Sequence, residues 1–236
     1  PDEAYDRHLA LIPSELFAFL EETDSEAFGK VSDRDALLQS LDAALREHGA
    51  LHVWRKGFMH RQHTFRIAAW RPKDDSGRAD FTAYQSNRFS VIQELHYDVD
   101  QAKGNRLDLV LFLNGMPVVT IELKNQFTGQ GAFQAISQYR TDRDSSAPIF
   151  QFSRRTVVHF AVDKMNAWMT TRLDGPRTRF LPFDQGKEDG SRGNPPIEGT
   201  HSTAYLWRET WSRDTLLDIL ESYATIEHPD ETEENR

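Results

Sequence analysis

The chain has 236 residues, of which 38% are hydrophobic and 28% charged, a balance typical of a globular protein large enough to bury a substantial core. Its lack of cysteine excludes disulfide bonds and cysteine-bound zinc, and no apolar run approaches the roughly 18 residues of a membrane helix. We therefore expect a cytoplasmic protein that contacts no membrane.

The net charge of −9 is unevenly distributed along the chain. Residues 1–50 contain twelve acidic and four basic residues, whereas residues 140–179 contain eight basic and four acidic ones. A local basic surface would allow contact with DNA phosphates despite the overall charge. The candidate DNA-binding residues are Arg140, Arg143, Arg154 and Arg155. The alternative is that they are ordinary solvated arginines.

The first 50 residues predict helices. Pro13 begins a segment with apolar residues at helical spacing, and Ser32 or Asp33 can cap a second helix that Gly49 closes. From residue 51 to residue 97 the pattern changes to strands. The β-favouring runs are Leu51–Trp54, Thr64–Trp70 and Phe89–Leu95.

The most informative stretch is NRLDLVLFLNGMPVVTIELKN, residues 105–125. Two apolar runs flank Asn114-Gly115, a dipeptide that strongly favours a β-hairpin turn. Asp108, Glu122 and Lys124 lie within these otherwise apolar strands. Because burying an unpaired charge costs several kcal/mol, charges in such strands indicate a functional role.

The register of the hairpin decides whether these charges meet. A two-residue turn would put Asp108 and Glu122 on opposite faces of the sheet, because strand side chains alternate. A three-residue loop, Asn114–Met116, or a Gly bulge at this loop would set Asp108 opposite Glu122. The accompanying pairs would be Leu107 with Leu123, Leu109 with Ile121, Leu111 with Val119, and Leu113 with Pro117. We therefore predict an odd-length loop or a bulge.

Two facing carboxylates with a lysine two residues on form a possible Mg²⁺ site. Mg²⁺ takes one or two protein carboxylates and keeps its other positions for water and substrate phosphate. It would polarise the phosphoryl oxygens and lower the pKa of a bound water. Lys124 would orient or help to deprotonate that water, or stabilise charge developing on the phosphate. The alternative is a solvated edge hairpin.

The segment after the hairpin predicts a helix from about Ala132 to Asp142. Its apolar stripe against the sheet would consist of Phe133, Ile136 and Tyr139. Gln134 and Gln138 share another face, four residues apart. They could approach a metal-bound water or a DNA phosphate, or they could be solvated glutamines beside a half-buried tyrosine.

The remaining elements complete an α/β fold. The predicted elements are strands Thr156–Val162 and Ala167–Leu173, a long loop at 186–200, and a helix Arg213–Ile226. His159, inside the first of these strands, is predicted to be a hydrogen-bonded core histidine. We expect a central mixed sheet with helices on both faces. Residues 1–226 are assigned to one domain, with a helical part to residue 50, and residues 227–236 to an acidic linker.

Stretches throughout the chain resemble the N-terminal endonuclease domain of the R (restriction, motor) subunit of type I restriction enzymes. Besides the hairpin, they are YDRHLALIPSEL, NRFSVIQELHY, QFTGQ, AISQYRTDRD, VVHFAVD, MTTRL, TRFLPF, GNPP and TAYLW. The resemblance implies the PD-(D/E)xK nuclease fold and a Mg²⁺-dependent endonuclease that cuts unmodified foreign DNA. It implies Asp108 and Glu122 as metal ligands and Lys124 as a catalytic residue.

The family also carries a Gln-x-x-x-Tyr motif on the helix after the Glu-x-Lys strand. Here Gln134 is five residues before Tyr139 and Gln138 is adjacent to it, so all three are catalytic candidates and which glutamine serves stays open. The implied partners are double-stranded DNA, methyltransferase and specificity subunits, and a helicase motor domain. No G-x-x-x-x-G-K-[ST] motif occurs, so ATP would act only through that motor. The alternatives are a catalytically silent docking domain and a stand-alone repair or mobile-element nuclease.

Overall fold

The computed structural model describes residues 4–72, 78–124 and 131–226. The helices are α1 Pro13–Thr23, α2 Ser25–Gly29, α3 Arg34–His48, α4 Ala50–Lys56, α5 Arg78–Gln85, α6 Ala132–Thr141 and α7 Arg213–Asp218. The strands are β1 Phe58–His60, β2 His63–Phe65, β3 Phe89–His96, β4 Arg106–Leu113, β5 Met116–Leu123, β6 Val158–Val162, β7 Ala167–Thr170 and β8 Leu181–Pro182. Within these ranges, no helix is long and apolar enough to span a membrane.

The centre of the molecule is a six-stranded sheet in the order β3-β4-β5-β6-β7-β8. The pair β5–β6 is parallel and the other neighbouring strands are antiparallel, so the sheet is mixed. A parallel pair needs a crossover connection, which α6 supplies between β5 and β6. The predicted α/β fold with a mixed central sheet is confirmed.

Helices cover the sheet on both faces because the central strands are apolar on both sides, and β5 is buried from Met116 to Glu122. Leu113, Val119, Ile121 and Phe160 pack with side chains of α1, α3, α4 and α7 in one cluster of buried residues. Val110, Phe112 and Ala161 belong to a second cluster, which contains Ala135, Ile136 and Tyr139 of α6. Phe133, which was expected in the buried stripe of α6, is instead 69% exposed, so that part of the prediction is wrong.

The predicted cap residues of the second helix are correct. Asp33 is the N-cap of α3 and accepts a hydrogen bond from the N–H of Ala36, and Gly49 follows its last residue. The predicted strand Leu51–Trp54 is wrong, because this segment forms helix α4. The buried residues of α4 are Ala50, Leu51, Val53 and Trp54, which is helical rather than alternating spacing.

The predicted strand Thr64–Trp70 is reduced to the short β2, which pairs only with β1 among the described strands. Two buried asparagines satisfy the backbone beyond it. Asn87 accepts from the N–H of Ala69 and donates to its carbonyl, and Asn114 donates to the carbonyl of Ile67. These side chains replace the ladder partner that a strand would need.

Asn114 and Gly115 form a two-residue turn between β4 and β5. Their φ angles are +48° and +79°, the left-handed pair of a type I′ turn. The turn is buried against the residues before α1, where the carbonyl of Gly115 accepts from the N–H of Ile12 at 2.8 Å. A Cβ atom on Gly115 would lie 2.3 Å from the Ile12 carbonyl oxygen, so only glycine fits there.

The C-terminal part follows the prediction with shorter strands. The two expected strands are present as β6 and β7, which pair antiparallel, and residues 186–200 contain neither helix nor strand. The final helical segment consists of α7 and a turn of wider, π-type helix at Ile219–Tyr223. The predicted linker, residues 227–236, lies outside the described residues, and the assignment of domains stays a prediction.

Candidate active site

A β-bulge in β5 brings two carboxylates together. Beside the turn, Leu113 pairs with Met116 and Phe112 with Pro117, whereas further along Leu111 pairs with Val119 and Leu109 with Ile121. Val118 is the extra residue, and the register continued by one position sets Asp108 opposite Glu122. The predicted extra residue between the two carboxylates is confirmed, but its predicted place, a three-residue loop or a Gly bulge at Asn114–Met116, is wrong. The predicted pair of Leu113 with Pro117 is wrong, because the extra residue lies within β5 and not in the loop.

Asp108 is half-buried near the start of β4, and its carboxylate reaches the neighbouring strand. Its Oδ2 atom accepts a hydrogen bond of 2.6 Å from the N–H of Leu123 in β5. This bond holds one oxygen of Asp108 beside the last residue of β5, immediately after Glu122. A backbone hydrogen bond therefore fixes the position of the Asp108 carboxylate, in addition to its rotamer preference.

Glu122 is fully buried, and its two oxygens have different surroundings. Oε1 accepts two hydrogen bonds from Arg143, from Nε at 2.8 Å and from Nη2 at 2.6 Å. Oε2 is buried and has no hydrogen-bond partner among the described residues. A buried carboxylate oxygen without a partner is costly unless another group uses its lone pairs.

The charge state of Glu122 reflects three neighbours. Burial raises the pKa of Glu122 to about 7, the Arg143 guanidinium opposes this rise, and the Asp108 carboxylate adds to it. Lys124 also lowers the pKa of Glu122, which places the lysine charge within reach of the carboxylate. At neutral pH the site therefore holds a carboxylate close to its point of protonation, which a bound cation would ionise fully.

Lys124 follows the last residue of β5 and keeps the strand direction. Its N–H donates to the carbonyl of Val162 at 2.9 Å, so the parallel ladder with β6 extends through this residue. Two residues after Glu122, the half-buried lysine side chain leaves the backbone on the same side. The structure therefore brings Asp108, Glu122 and Lys124 together, as the sequence predicts.

Tyr139 of α6 lies beneath this group in a buried chain of hydrogen bonds. Its hydroxyl is 2.9 Å from Oγ1 of Thr120, which is 2.7 Å from Nδ1 of His159. Burial and then the charge of Glu122 raise the pKa of Tyr139 well above its ordinary value. Burial lowers the pKa of His159 to about 3, so His159 is a neutral, hydrogen-bonded core histidine, as predicted. The tyrosine is thus placed behind the carboxylates and not at an open surface.

The two glutamine candidates have different environments. Gln134 is exposed, and its Oε1 accepts from the N–H of Gly131 at 2.8 Å as a cap of α6. Gln138 is half-buried, and its Oε1 is buried without a hydrogen-bond partner in the part of the chain that the structure describes. Gln138 is therefore the glutamine with an unengaged polar atom, while Gln134 has a structural role as a helix cap.

Two of the four predicted DNA-binding arginines are in the interior, so those predictions are wrong. The Arg143 side chain is 5% exposed and paired with Glu122. The Arg155 side chain is 3% exposed, pairs with Asp42 and donates to the carbonyl of Leu9. Arg154 is exposed, and the half-buried Arg140 donates to the carbonyl of Thr178. A surface role is geometrically open only to these last two.

Comparison with known proteins assigns the chain to a family. Residues 24–178, more than half of the chain, match the sequence model of the type I restriction enzyme R protein N terminus. The chain belongs to this family. All of the site described above, from β4 through α6 to Arg143 and β6, lies within the matched range.

Two curated relatives have names that agree with the family. The putative type I restriction enzyme MjaIXP endonuclease subunit of Methanocaldococcus jannaschii is 25% identical over 143 residues, 60% of this chain and 13% of that protein. The type I restriction enzyme HindI endonuclease subunit of Haemophilus influenzae is 30% identical over 82 residues, 34% of this chain and 8% of that protein. The chain thus spans a small fraction of the relatives it matches.

The donor set of this R-protein N-terminal domain fits Mg²⁺. The described residues contain no cluster of three or more acidic or histidine side chains suited to a metal ion. Mg²⁺ needs fewer, since it binds through one or two carboxylates and retains several waters. The free oxygen of Glu122 and the facing Asp108 supply that number, and both are the hard oxygen ligands that Mg²⁺ prefers.

Sequence reasoning missed two residues that build the site. Arg143 was assigned to a surface, although a glutamate in an apolar strand requires a counter-charge and Arg143 follows the helix that covers this strand. Asp163, at the end of β6, accepts from the N–H of Ala132 at 2.9 Å and so caps α6 from a different element. No local pattern indicates the second contact, because its partners are 31 residues apart.

Proposed function

We propose that this chain is the Mg²⁺-dependent endonuclease domain of a type I restriction R subunit, built on a PD-(D/E)xK core. The observation that carries the proposal is the pair of carboxylates, Asp108 and Glu122, set opposite each other by the bulge at Val118. The unengaged Oε2 of buried Glu122 supports a metal ligand at this position. The family membership supports a restriction endonuclease over a stand-alone repair nuclease.

The residues divide the chemistry of phosphodiester hydrolysis among them. Asp108 and Glu122 would hold the cation, which when bound polarises the phosphoryl oxygens and acidifies a water. Lys124, half-buried beside them, would donate a hydrogen bond to the attacking water or to the phosphoryl oxygen that gains charge. Tyr139 and Thr120 support the strand from below, because their hydroxyls bond to each other in the interior.

Binding partners follow from the same assignment. The substrate would be duplex DNA, with exposed Arg154 and half-buried Arg140 as candidate phosphate contacts. The methyltransferase and specificity subunits and the helicase motor of the R subunit would select and deliver the DNA. In this arrangement ATP is consumed by the motor and not by this domain.

The test is cleavage by the assembled restriction complex with single substitutions. We expect Asp108→Ala and Lys124→Ala to lower the Mg²⁺-dependent nicking rate by at least about 100-fold, because each removes a ligand or a charge needed in the transition state. DNA translocation should persist, since neither residue belongs to the motor. Matched controls are Asp189→Asn and Lys187→Ala, both in the loop at 186–200, which should cut normally. Cleavage retained by both site variants would refute the nuclease assignment.

A catalytically silent docking domain is the second candidate, favoured by one observation. The ion pair with Arg143 already partly neutralises Glu122 and keeps it buried. Metal binding separates the two candidates. If the site is active, titration of the unsubstituted protein with Mn²⁺ should show a bound ion that is absent from the titration of Asp108→Asn. Identical titrations of the two proteins would favour the docking domain.

A further inference from the structure

The contacts of Arg143 have a feature that a purely structural ion pair does not need. Two nitrogens of its guanidinium, Nε and Nη2, both donate to a single oxygen, Oε1 of Glu122. In the common bidentate geometry, two guanidinium nitrogens bond to the two oxygens of a carboxylate. Here the second oxygen, Oε2, is left buried with no hydrogen-bond partner among the described residues.

The same guanidinium is tied to the strand that carries the other carboxylate. Nη2 of Arg143 also donates to the backbone carbonyl of Arg106 at 2.8 Å, two residues before Asp108 in β4. The guanidinium carbon lies 5.8 Å from the ring centroid of Tyr97, just after β3. Contacts with β4 and with the residue after β3 therefore fix the position of the Arg143 guanidinium. Through it, Glu122 of β5 is linked to the backbone of β4 close to Asp108.

This arrangement is poorly explained as a device for stability. A buried ion pair is often no better than an apolar pair of the same volume, because both charges lose their hydration. Leaving one carboxylate oxygen without a partner adds a further cost. Both costs are offset if a cation binds the free oxygen, because it supplies the missing partner.

We propose that Arg143 is a positioning residue of the metal site: it holds Oε1 of Glu122 so that Oε2 faces the space beside Asp108 as the cation ligand. The inference rests on the proposed nuclease function. A carboxylate fixed in advance loses no rotamer freedom when the cation arrives, whereas a free glutamate does. The planar guanidinium is suited to this task, because a lysine ammonium cannot hold one oxygen through two fixed nitrogens.

The positive charge of Arg143 has an opposing effect on a cation. It repels a metal ion near Glu122, so removing the charge would by itself tighten metal binding. Arg143→Lys keeps the charge and loses the geometry, while Arg143→Met loses both. The two substitutions therefore separate positioning from electrostatic inhibition.

The experiment is Mn²⁺ binding to the full-length R subunit without nucleotide, followed by electron paramagnetic resonance of the free ion. The Mn²⁺ ion bound at this site is identified by comparison with Asp108→Asn, which should abolish its binding. We expect Arg143→Lys and Arg143→Met each to lower the affinity of that site for Mn²⁺ by at least about 10-fold. Arg46→Met, which removes an exposed arginine paired with Asp42 on α3, is the matched control and should bind as the unsubstituted protein does.

The possible results lead to different conclusions. Tighter binding by Arg143→Met with unchanged binding by Arg143→Lys would overturn positioning in favour of an inhibitory charge. A lower melting temperature with unchanged Mn²⁺ affinity in Arg143→Lys would overturn it in favour of a structural tie. If Arg143→Met does not fold, Arg143→Lys decides alone. If Asp108→Asn abolishes none of the Mn²⁺ binding that the unsubstituted protein shows, the proposed function itself is refuted.

A second measurement separates positioning from chemistry in the assembled complex. If Arg143 acts through Glu122, Arg143→Lys should need more Mg²⁺ for half-maximal nicking, and its rate at saturating Mg²⁺ should return to within about threefold of normal. A rate that stays low at every Mg²⁺ concentration, with normal Mn²⁺ affinity, would contradict the proposal.

Discussion

The stability of this domain toward acid should depend on His159. The residue is fully buried, and burial lowers its pKa from 6.5 to about 3. Because the folded pKa is depressed, protons bind preferentially to the unfolded chain. The stability that the neutral imidazole permits is therefore fully present above pH 6.5 and is lost as pH falls toward the folded value.

The size of this loss follows from the two pKa values. Between about pH 7.5 and pH 5, protonation of the unfolded histidine costs the folded state about 2 kcal/mol, at ~1.4 kcal/mol per unit below 6.5. Glu122 acts in the opposite direction, since its folded pKa is raised from 4.5 to about 7. Its protonation in the folded state adds roughly 3 kcal/mol over the same interval. The two effects largely cancel in the unsubstituted domain.

Difference measurements reveal each effect. The assay is urea unfolding of residues 1–236 in the presence of a chelator, followed by tryptophan fluorescence at about pH 7.5 and pH 5. Relative to the unsubstituted chain, His159→Asn should gain about 2 kcal/mol on acidification, because asparagine can still bond to Thr120 but does not titrate. Over the same change of pH, the unfolding free energy of Glu122→Gln should fall by roughly 3 kcal/mol relative to that of the unsubstituted chain. Parallel pH profiles for His159→Asn and the unsubstituted chain would refute the reasoning.

Three further predictions, two of them with a comparison variant, test other contacts. Gly115→Ala should lower the unfolding free energy by roughly 2–4 kcal/mol, because it adds a Cβ clash to an unfavourable φ. Gly186→Ala, with φ +81° but open space, should lower it by only about 1 kcal/mol, and equal losses would contradict the clash. Arg155→Met should lower the free energy of unfolding by about 3 kcal/mol and leave DNA affinity unchanged. Arg154→Met should weaken DNA binding in a filter or fluorescence assay without changing the urea midpoint. The reverse pattern would show that Arg155 contacts DNA at the surface. Tyr139→Phe should cost about 1 kcal/mol and leave the nicking rate within about threefold, and a loss beyond about 100-fold would place its hydroxyl in the chemistry.

The central hairpin shows why part of this site could be predicted. Strand side chains alternate strictly, so the requirement that Asp108 face Glu122 already demanded one extra residue between them. The pairing of the apolar residues favoured the loop, Asn114–Met116, as its place. The structure places it at Val118, which leaves Asn114-Gly115 as the two-residue turn its composition favours.

The arginines show where local reasoning ended. Arg140, Arg143, Arg154 and Arg155 have the same chemistry and lie in one basic region, yet two are buried and one is exposed. Nothing adjacent to Arg143 or Arg155 indicates burial, because their partners Glu122 and Asp42 are 21 and 113 residues away. A charge is buried only where folding supplies its counter-charge, which is a property of the tertiary structure.

The sequence by itself determined the features that depend on neighbouring residues and on the period of a strand or helix: the hairpin, the cap of α3 by Asp33, helix α6, and the presence of a carboxylate pair with a lysine. The tertiary structure decided the features that depend on distant partners. It turned residues 50–56 into a helix against the sheet, buried Tyr139 behind Thr120, and made Arg143 the counter-ion of Glu122. Local free-energy differences are small, and the burial of apolar surface and charge, which only the folded chain defines, outweighs them.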